Sequence, residues 1–172
     1  RFAKVWGDAP MPNIGTYGLS HRVHGGHALD FVRYAASMQG SADLAIESSW
    51  RMANQMRMNG TPRGRMQKRL AAPWMTLKIF GRWDEVLAID TPEYSTPYLD
   101  GILAYVKGSA FVAKGQLARA ETNLETIRAL AASPEVATNQ AGASPTAEIL
   151  ALAAHGLAGE IAYAKGDYLA AA

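Results

Sequence analysis

The chain has no cysteine. That excludes disulfides and thiolate-held metals, and leaves the compartment open. No apolar run approaches the roughly 18 residues that a spanning helix needs. Net charge is only +2, too small for a global field that attracts nucleic acid or membrane. Alternating runs of Val, Ile, Thr and aromatics are missing, so no sheet is expected in the second half. The signatures of catalysis are missing too: no nucleophile elbow, phosphate loop, His-Glu-x-x-His or supported carboxylate pair. The stretch Gly101 to Ser109 resembles a phosphate loop only superficially. Its spacing is wrong, and it lies within a helical segment rather than after a strand. No enzyme and no cofactor is expected. There is no initiator Met, and Leu169 to Ala172 run into what reads as a helix interior. Both ends therefore read as cut from a longer protein.

What is present is helix-forming. Of 172 residues, 49% are hydrophobic and 19% charged, enough to bury a core. Ala, Leu, Met, Gln and Lys dominate the longer segments, and these lose little entropy in a helix. Thr61-Pro62, Thr96-Pro97 and Ser144-Pro145 each place a capping hydroxyl before a proline suited to the first helical position. Ser133-Pro134 looks similar but precedes a polar stretch and reads as linker.

A repeat emerges when Gly40, Gly81, Gly115 and Gly166 are aligned. Before each lies an apolar helical segment; after each comes a short polar turn and a new segment. Glycine there supplies a left-handed C-cap that turns the chain back. Five residues later stand Ala45, Val86, Ala120 and Ala171, small or modest enough to let the second helix approach the first. The third copy carries Gly108, Phe111, Gly115, Leu117 and Ala120, followed by Leu124 and Ile127. The fourth carries Gly159, Ala162, Gly166, Tyr168 and Ala171. Glycine in mid-helix costs about 1 kcal/mol against alanine, and close helix packing is the simplest compensation.

These residues resemble the tetratricopeptide-repeat (TPR) family. Its motif has small residues where paired helices cross, an apolar residue a turn later, a turn glycine, then an apolar and a small residue. The resemblance covers most of residues 24 to 172 and is strongest from about 97 onward. The first copies depart from it. Arg33 and Trp74 stand where the family has a small residue, Asp90 closes the second copy early, and the glycine spacings are 41, 34 and 51. The stretch His24 to Gly40 and the segment from Phe80 to Glu85 look like a group of bacterial TPR proteins of poorly defined function.

The fold class expected is all-α, a superhelix of about 3.5 to 4 stacked antiparallel helix pairs (a TPR-like solenoid). It follows a lead-in over residues 1–23 and breaks off in the last pair. Helices are expected at about 25–39, 42–58, 64–80, 83–89, 97–114, 117–132, 146–165 and 168 onward. Pro73 should kink or break the third, since it removes a backbone hydrogen bond.

Three patterns invite chemistry. His21, His24 and His27 are spaced by three, and His24 with His27 could share a helical face and hold zinc or copper, with Asp30 the only nearby carboxylate for a third ligand. Against this, Gly25-Gly26 disrupts a helix there, and the histidines then simply cap and pack its first turn. Met38, Met52, Met56, Met58, Met66 and Met75 cluster in one third of the chain. Thioethers bind Cu(I), but core or groove packing is the favoured reading. From Ser48 to Trp83 there is no acidic residue, yet Arg51, Arg57, Arg63, Arg65, Lys68, Arg69, Lys78 and Arg82 are present. Such a run can hold an acidic peptide, a phosphate or nucleic acid. The aromatics here, Trp50, Trp74, Phe80 and Trp83, read as core, so nucleic acid is disfavoured. A solvated face balanced by Asp84, Glu85, Asp90 and Glu93 is the plainer reading.

The TPR resemblance implies that the first helices of the pairs line a concave groove. Carried over position by position, the groove takes His27, Asp30, Tyr34 and Ser37 from the first pair and Lys68, Met75 and Lys78 from the second. Ile102, Tyr105, Ser109 and Val112 come from the third, Glu160 and Tyr163 from the fourth. The function it implies is a scaffold that binds a protein or peptide, with an acidic segment as the natural counter-charge to the basic run. Two alternatives stand beside it. One is a metal-binding or enzymatic protein using His24 and His27. The other is self-assembly through the last pair, whose exposed apolar face would include Leu152, Leu157 and Ile161.

Overall fold

The computed structural model describes residues 26–55 and 60–171. The chain divides into two units between Asn59 and Gly60. The fold is all-α: eight α-helices and one 3-10 turn account for nearly all the regular structure of the described residues.

In the first unit, α1 (Gly26–Met38) packs against α2 (Ala42–Asn54). Leu29, Val32 and Ala36 of α1 and Ala45 and Met52 of α2 are buried. Spacings of three and four residues on α1 and of seven on α2 each mark one apolar helix face. Trp50 is 37% exposed, so the expectation of a core tryptophan there fails.

The second unit runs α3 (Arg65–Ile79), α4 (Trp83–Leu87), α5 (Pro97–Ala113), α6 (Leu117–Ala131), a 3-10 turn (Pro134–Thr138), β1 (Gln140–Ala141), β2 (Ser144–Pro145), α7 (Thr146–Ala164) and α8 (Tyr168–Ala171). Within it α5 packs on α3, α4, α6 and α7, and α7 packs on α6 and α8. The core is built from Leu99, Val106, Ile127, Leu150 and Leu157, all fully buried.

The four aligned glycines make one turn four times over. All have positive φ, from 65° at Gly81 to 82° at Gly166, a region glycine enters without steric cost. Each following amide reaches back five residues to a carbonyl: Ser41 to Ala36, Arg82 to Leu77, Gln116 to Phe111 and Asp167 to Ala162, at 2.8–3.0 Å. Each glycine amide also donates three residues back, to Ser37, Lys78, Val112 and Tyr163. This double bond pattern closes a helix in the Schellman manner. Ala45, Val86 and Ala120, five residues past their glycines, are fully buried.

Of the three Ser/Thr-Pro starts, only Thr96-Pro97 works as expected. Thr96 Oγ accepts the Leu99 amide at 3.2 Å, with Pro97 opening α5. Thr61-Pro62 lies ahead of the helix, because Gly64 takes φ 54° and ψ −128° and delays α3 to Arg65. Ser144 cannot cap α7 because it is paired as a strand with Ala141. Asn139 takes over: its carbonyl accepts the Thr146 amide at 3.0 Å and its side-chain oxygen accepts the Thr146 hydroxyl at 2.5 Å.

Two further expectations are corrected. The second half does contain a minimal antiparallel ladder, two residues per strand, in what reads as linker. Gly142, with φ 72°, opens its two-residue loop, and Ser133-Pro134 begins the 3-10 turn that anchors Val136 in the core. Of the two outcomes expected at Pro73, the break does not occur: α3 continues through it with Pro73 buried. Asp90 does mark a short second helix, five residues long, ending at Leu87.

The mid-helix glycines behave as packing sites, with a change of partner. A Cβ on Gly108 would meet Leu157 at 2.5 Å and Asn123 Cβ at 3.3 Å. Gly108 thus receives the next pair's first helix at least as closely as its own partner. Gly101 is likewise filled by Leu150, and Gly159 faces the Ala171 carbonyl at 3.4 Å. Leu157 and Ile161 are therefore buried against α5 and α6 rather than exposed; only Leu152 of the expected apolar face is open, at 74%.

Candidate functional site

The C-terminal halves of α3, α5 and α7 converge on a groove of about 640 Å³. Its lining includes Lys78 from α3, Ser109 and Val112 from α5, and Glu160 and Tyr163 from α7. All five are among the groove residues expected from the sequence. Tyr105 adjoins them: its ring lies 4.9 Å from Lys78 Nζ, and its hydroxyl sits 3.4 Å from where a Cβ on Gly156 would be.

An ion pair spans the groove. Lys78 Nζ donates to Glu160 Oε1 at 2.8 Å, joining residues 82 apart in sequence. Burial alone lowers the ammonium's pKa, but the Glu160 hydrogen bond and charge, with smaller help from Tyr105, raise it above the ordinary lysine value. Lys78 is thus held charged and already partnered. Beside it, Ser109 is 2% exposed, and its hydroxyl has no hydrogen-bond partner. An unsatisfied buried hydroxyl costs about 1–3 kcal/mol, and this one has almost no surface open to the groove.

The remaining expected residues fall elsewhere. Ile102 is buried in the core and Met75 is half-buried away from the groove. Lys68 lies on the N-terminal half of α3, its Nζ 3.4 Å from where a Cβ on Gly142 would be. The cause is the hairpin, which packs on that half of α3. His27, Asp30, Tyr34 and Ser37 belong to the first unit. His27 meets the Phe31 ring edge-on at 4.8 Å, Asp30 pairs with Arg33 at 2.7 Å, Ser37 donates to the Arg33 carbonyl at 2.8 Å, and Tyr34 is exposed. His21 and His24 lie outside the described residues, as do Met56, Met58 and Arg57. Among the described residues no group of three or more His, Cys, Asp or Glu could hold a metal ion.

Sequence reasoning missed Trp83, His155, Gly156, Gly159 and Ala171 as groove lining. The glycines carried a signal, since two stand three apart in mid-helix. Trp83 carried none, because it belongs to a second helix. The balance of the basic run also differs from the acidic set expected. Arg82 pairs with Glu85 as foreseen, but Asp84 pairs with Lys114, outside the run, and Lys78 draws on Glu160.

A second cavity, also about 640 Å³, opens on polar groups: Arg63, Gly64, Gln67, Glu135, Thr138 and Asn139. Gln67 is fully buried at its base. Its Nε2 donates to the Gln140 carbonyl at 2.9 Å and Asn139 Oδ1 at 3.3 Å, and its Oε1 accepts from the Thr96 hydroxyl at 2.6 Å. Every polar atom of the Gln67 side chain is engaged, which makes this a clamp rather than a waiting site.

No helix among the described residues is long and apolar enough to cross a membrane. In comparisons with known proteins, no family model, no curated protein and no solved structure matches the chain.

Proposed function

We propose that residues 60–172 form a TPR-like docking module that holds a segment of a partner protein in the groove between α3, α5 and α7. The observation that carries this is the meeting of Lys78, Ser109, Val112, Glu160 and Tyr163 on one concavity. They come from three consecutive first helices, the elements that line the groove in the family this repeat resembles. Fold analogy identifies no ligand by itself; the exposed Tyr163 adds chemistry suited to peptide contact.

The test is affinity capture with the wild-type chain and with Tyr163→Arg. Tyr163 is 67% exposed, so the variant should keep its thermal unfolding midpoint. A partner recovered by the wild type and lost by the variant is the expected result. Equal recovery by both would remove the groove from the function.

A further inference from the structure

The basic run between Ser48 and Trp83 is neutralised at one end of α3 and not at the other. At the C-terminal end Lys78 pairs with Glu160, and just beyond it Arg82 pairs with Glu85. At the N-terminal end Arg63 and Lys68 make no ion pair with any described residue. Both belong to the polar cavity there. Arg63 lines it, and Lys68 Nζ lies beside Gly142, which also lines it. Gln67 closes the floor, yet the walls keep groups that nothing engages. Asn139 Oδ1 accepts from Gln67 Nε2 and from the Thr146 hydroxyl, which fixes the carboxamide. Its Nδ2 has no hydrogen bond to a described residue, so it stands in the lining as an oriented donor. Glu135, the one carboxylate of the lining, is unpaired among the described residues as well. Opposite charges that share a cavity of about 640 Å³ without meeting leave room for a ligand between them.

We propose that this cavity binds a small phosphate monoester bearing hydroxyl groups, a sugar phosphate in its chemical class. Such a phosphate carries about two negative charges at neutral pH, the number that Arg63 and Lys68 can match. The Arg63 guanidinium offers forked donors that fit phosphate oxygens, Lys68 adds a point charge, and Asn139 Nδ2 adds a neutral donor. Ionised Glu135 can only accept, so it calls for hydroxyl donors on the far part of the ligand. Thr138, in the same lining, can donate or accept there. A lone carboxylate would leave one cation unmatched. A chain of phosphates or of acidic residues would run against Glu135. The site lies at the opposite end of α3 from the groove and stands apart from the docking function proposed above.

The test is calorimetric titration of the full chain with glucose-6-phosphate at low salt, where exposed charges are least screened. It should bind saturably and more tightly than inorganic phosphate, while glucose gives no binding heat. Arg63→Gln and Lys68→Gln, both at exposed positions, should keep the fold and each weaken binding about tenfold. Lys114→Gln, outside the cavity, should leave it unchanged. Glu135→Ala should erase the preference over inorganic phosphate. No saturable binding at millimolar concentration, undiminished binding by both Arg63→Gln and Lys68→Gln, or tighter binding of L-glutamate or a polyglutamate peptide overturns the proposal. Equal binding of glucose-6-phosphate and inorganic phosphate by the wild type would strike out the hydroxyl contacts, and the ligand class with them.

Discussion

The chain's second and third helix pairs, the first two of the unit 60–172, differ in everything except their turn. In one, α3 has 15 residues and α4 only 5; in the other, α5 has 17 and α6 has 15. Yet the two hydrogen bonds that close the helix are the same at Gly81 and Gly115. Seven residues before the turn, the third pair has Gly108, filled from outside by Leu157, while the second has Trp74, itself buried. Turn chemistry is local and survives divergence. What fills the space between helices is a negotiated volume: where the second helix is short, a large side chain of the first is buried in its own right.

The largest way to break this comparison is Trp74→Ala. If the tryptophan fills the second pair, its loss should cost about 3–5 kcal/mol, read from urea denaturation of the full chain; a cost under about 1 kcal/mol would mean the volume is filled otherwise. Next comes alkali. Burial pushes the Tyr98 pKa up to about 12 from its ordinary value of 10.0. The folded state then holds a proton that the unfolded chain gives up. Stability is fully present below pH 10 and is lost as pH rises toward 12, by about 2–3 kcal/mol. Tyr98→Phe should flatten that part of the fall; Lys78, also raised, adds a loss of the same sign. An unchanged slope in Tyr98→Phe would count against its burial.

Third, Gly108→Ala drives a methyl into Leu157 at an overpacking cost of about 1–3 kcal/mol, offset by the roughly 1 kcal/mol that alanine gains over glycine in a helix, so the net loss should be about 0–2 kcal/mol. Its effect should shrink when combined with Leu157→Ala, which empties the opposing space; simple additivity would show the two are not in contact. The smallest effect is the most discriminating. Gly81→Ala and Gly115→Ala should each cost about 1 kcal/mol, because both require positive φ, and the two should agree within a few tenths. Unequal costs would show that the shared bond pattern conceals different local strain.

The sequence showed these turns and hid the connections between them. Glycine after an apolar helix is a strictly local signal, and all four turns were readable from it, as was the cap at Thr96. Thr61 and Ser144 misled because a hydroxyl before proline says nothing about its neighbours: Gly64 bends away, and Ser144 is drawn into the ladder by Gly142. Leu157 was misread because its burial depends on Gly108, 49 residues earlier, and Ile161 because it joins a cluster with Leu124 and Ile127 of α6. The groove was partly legible through the family's positions. Its ion pair was not, since nothing in the sequence aligns Lys78 with a carboxylate 82 residues later.

A chain of stacked hairpins whose contacts reach only to the next hairpin should peel from its ends, one unit after another. Gln67 works against that. It fastens the start of α3 to Thr96, 29 residues on, and to Gln140, 73 residues on, stepping over the whole α5–α6 pair. Fraying at either end of this stretch is tied to the other through one buried carboxamide. Residues 60–172 should therefore melt in a single concerted step, and amide protons near Gln67 should be among the last to exchange.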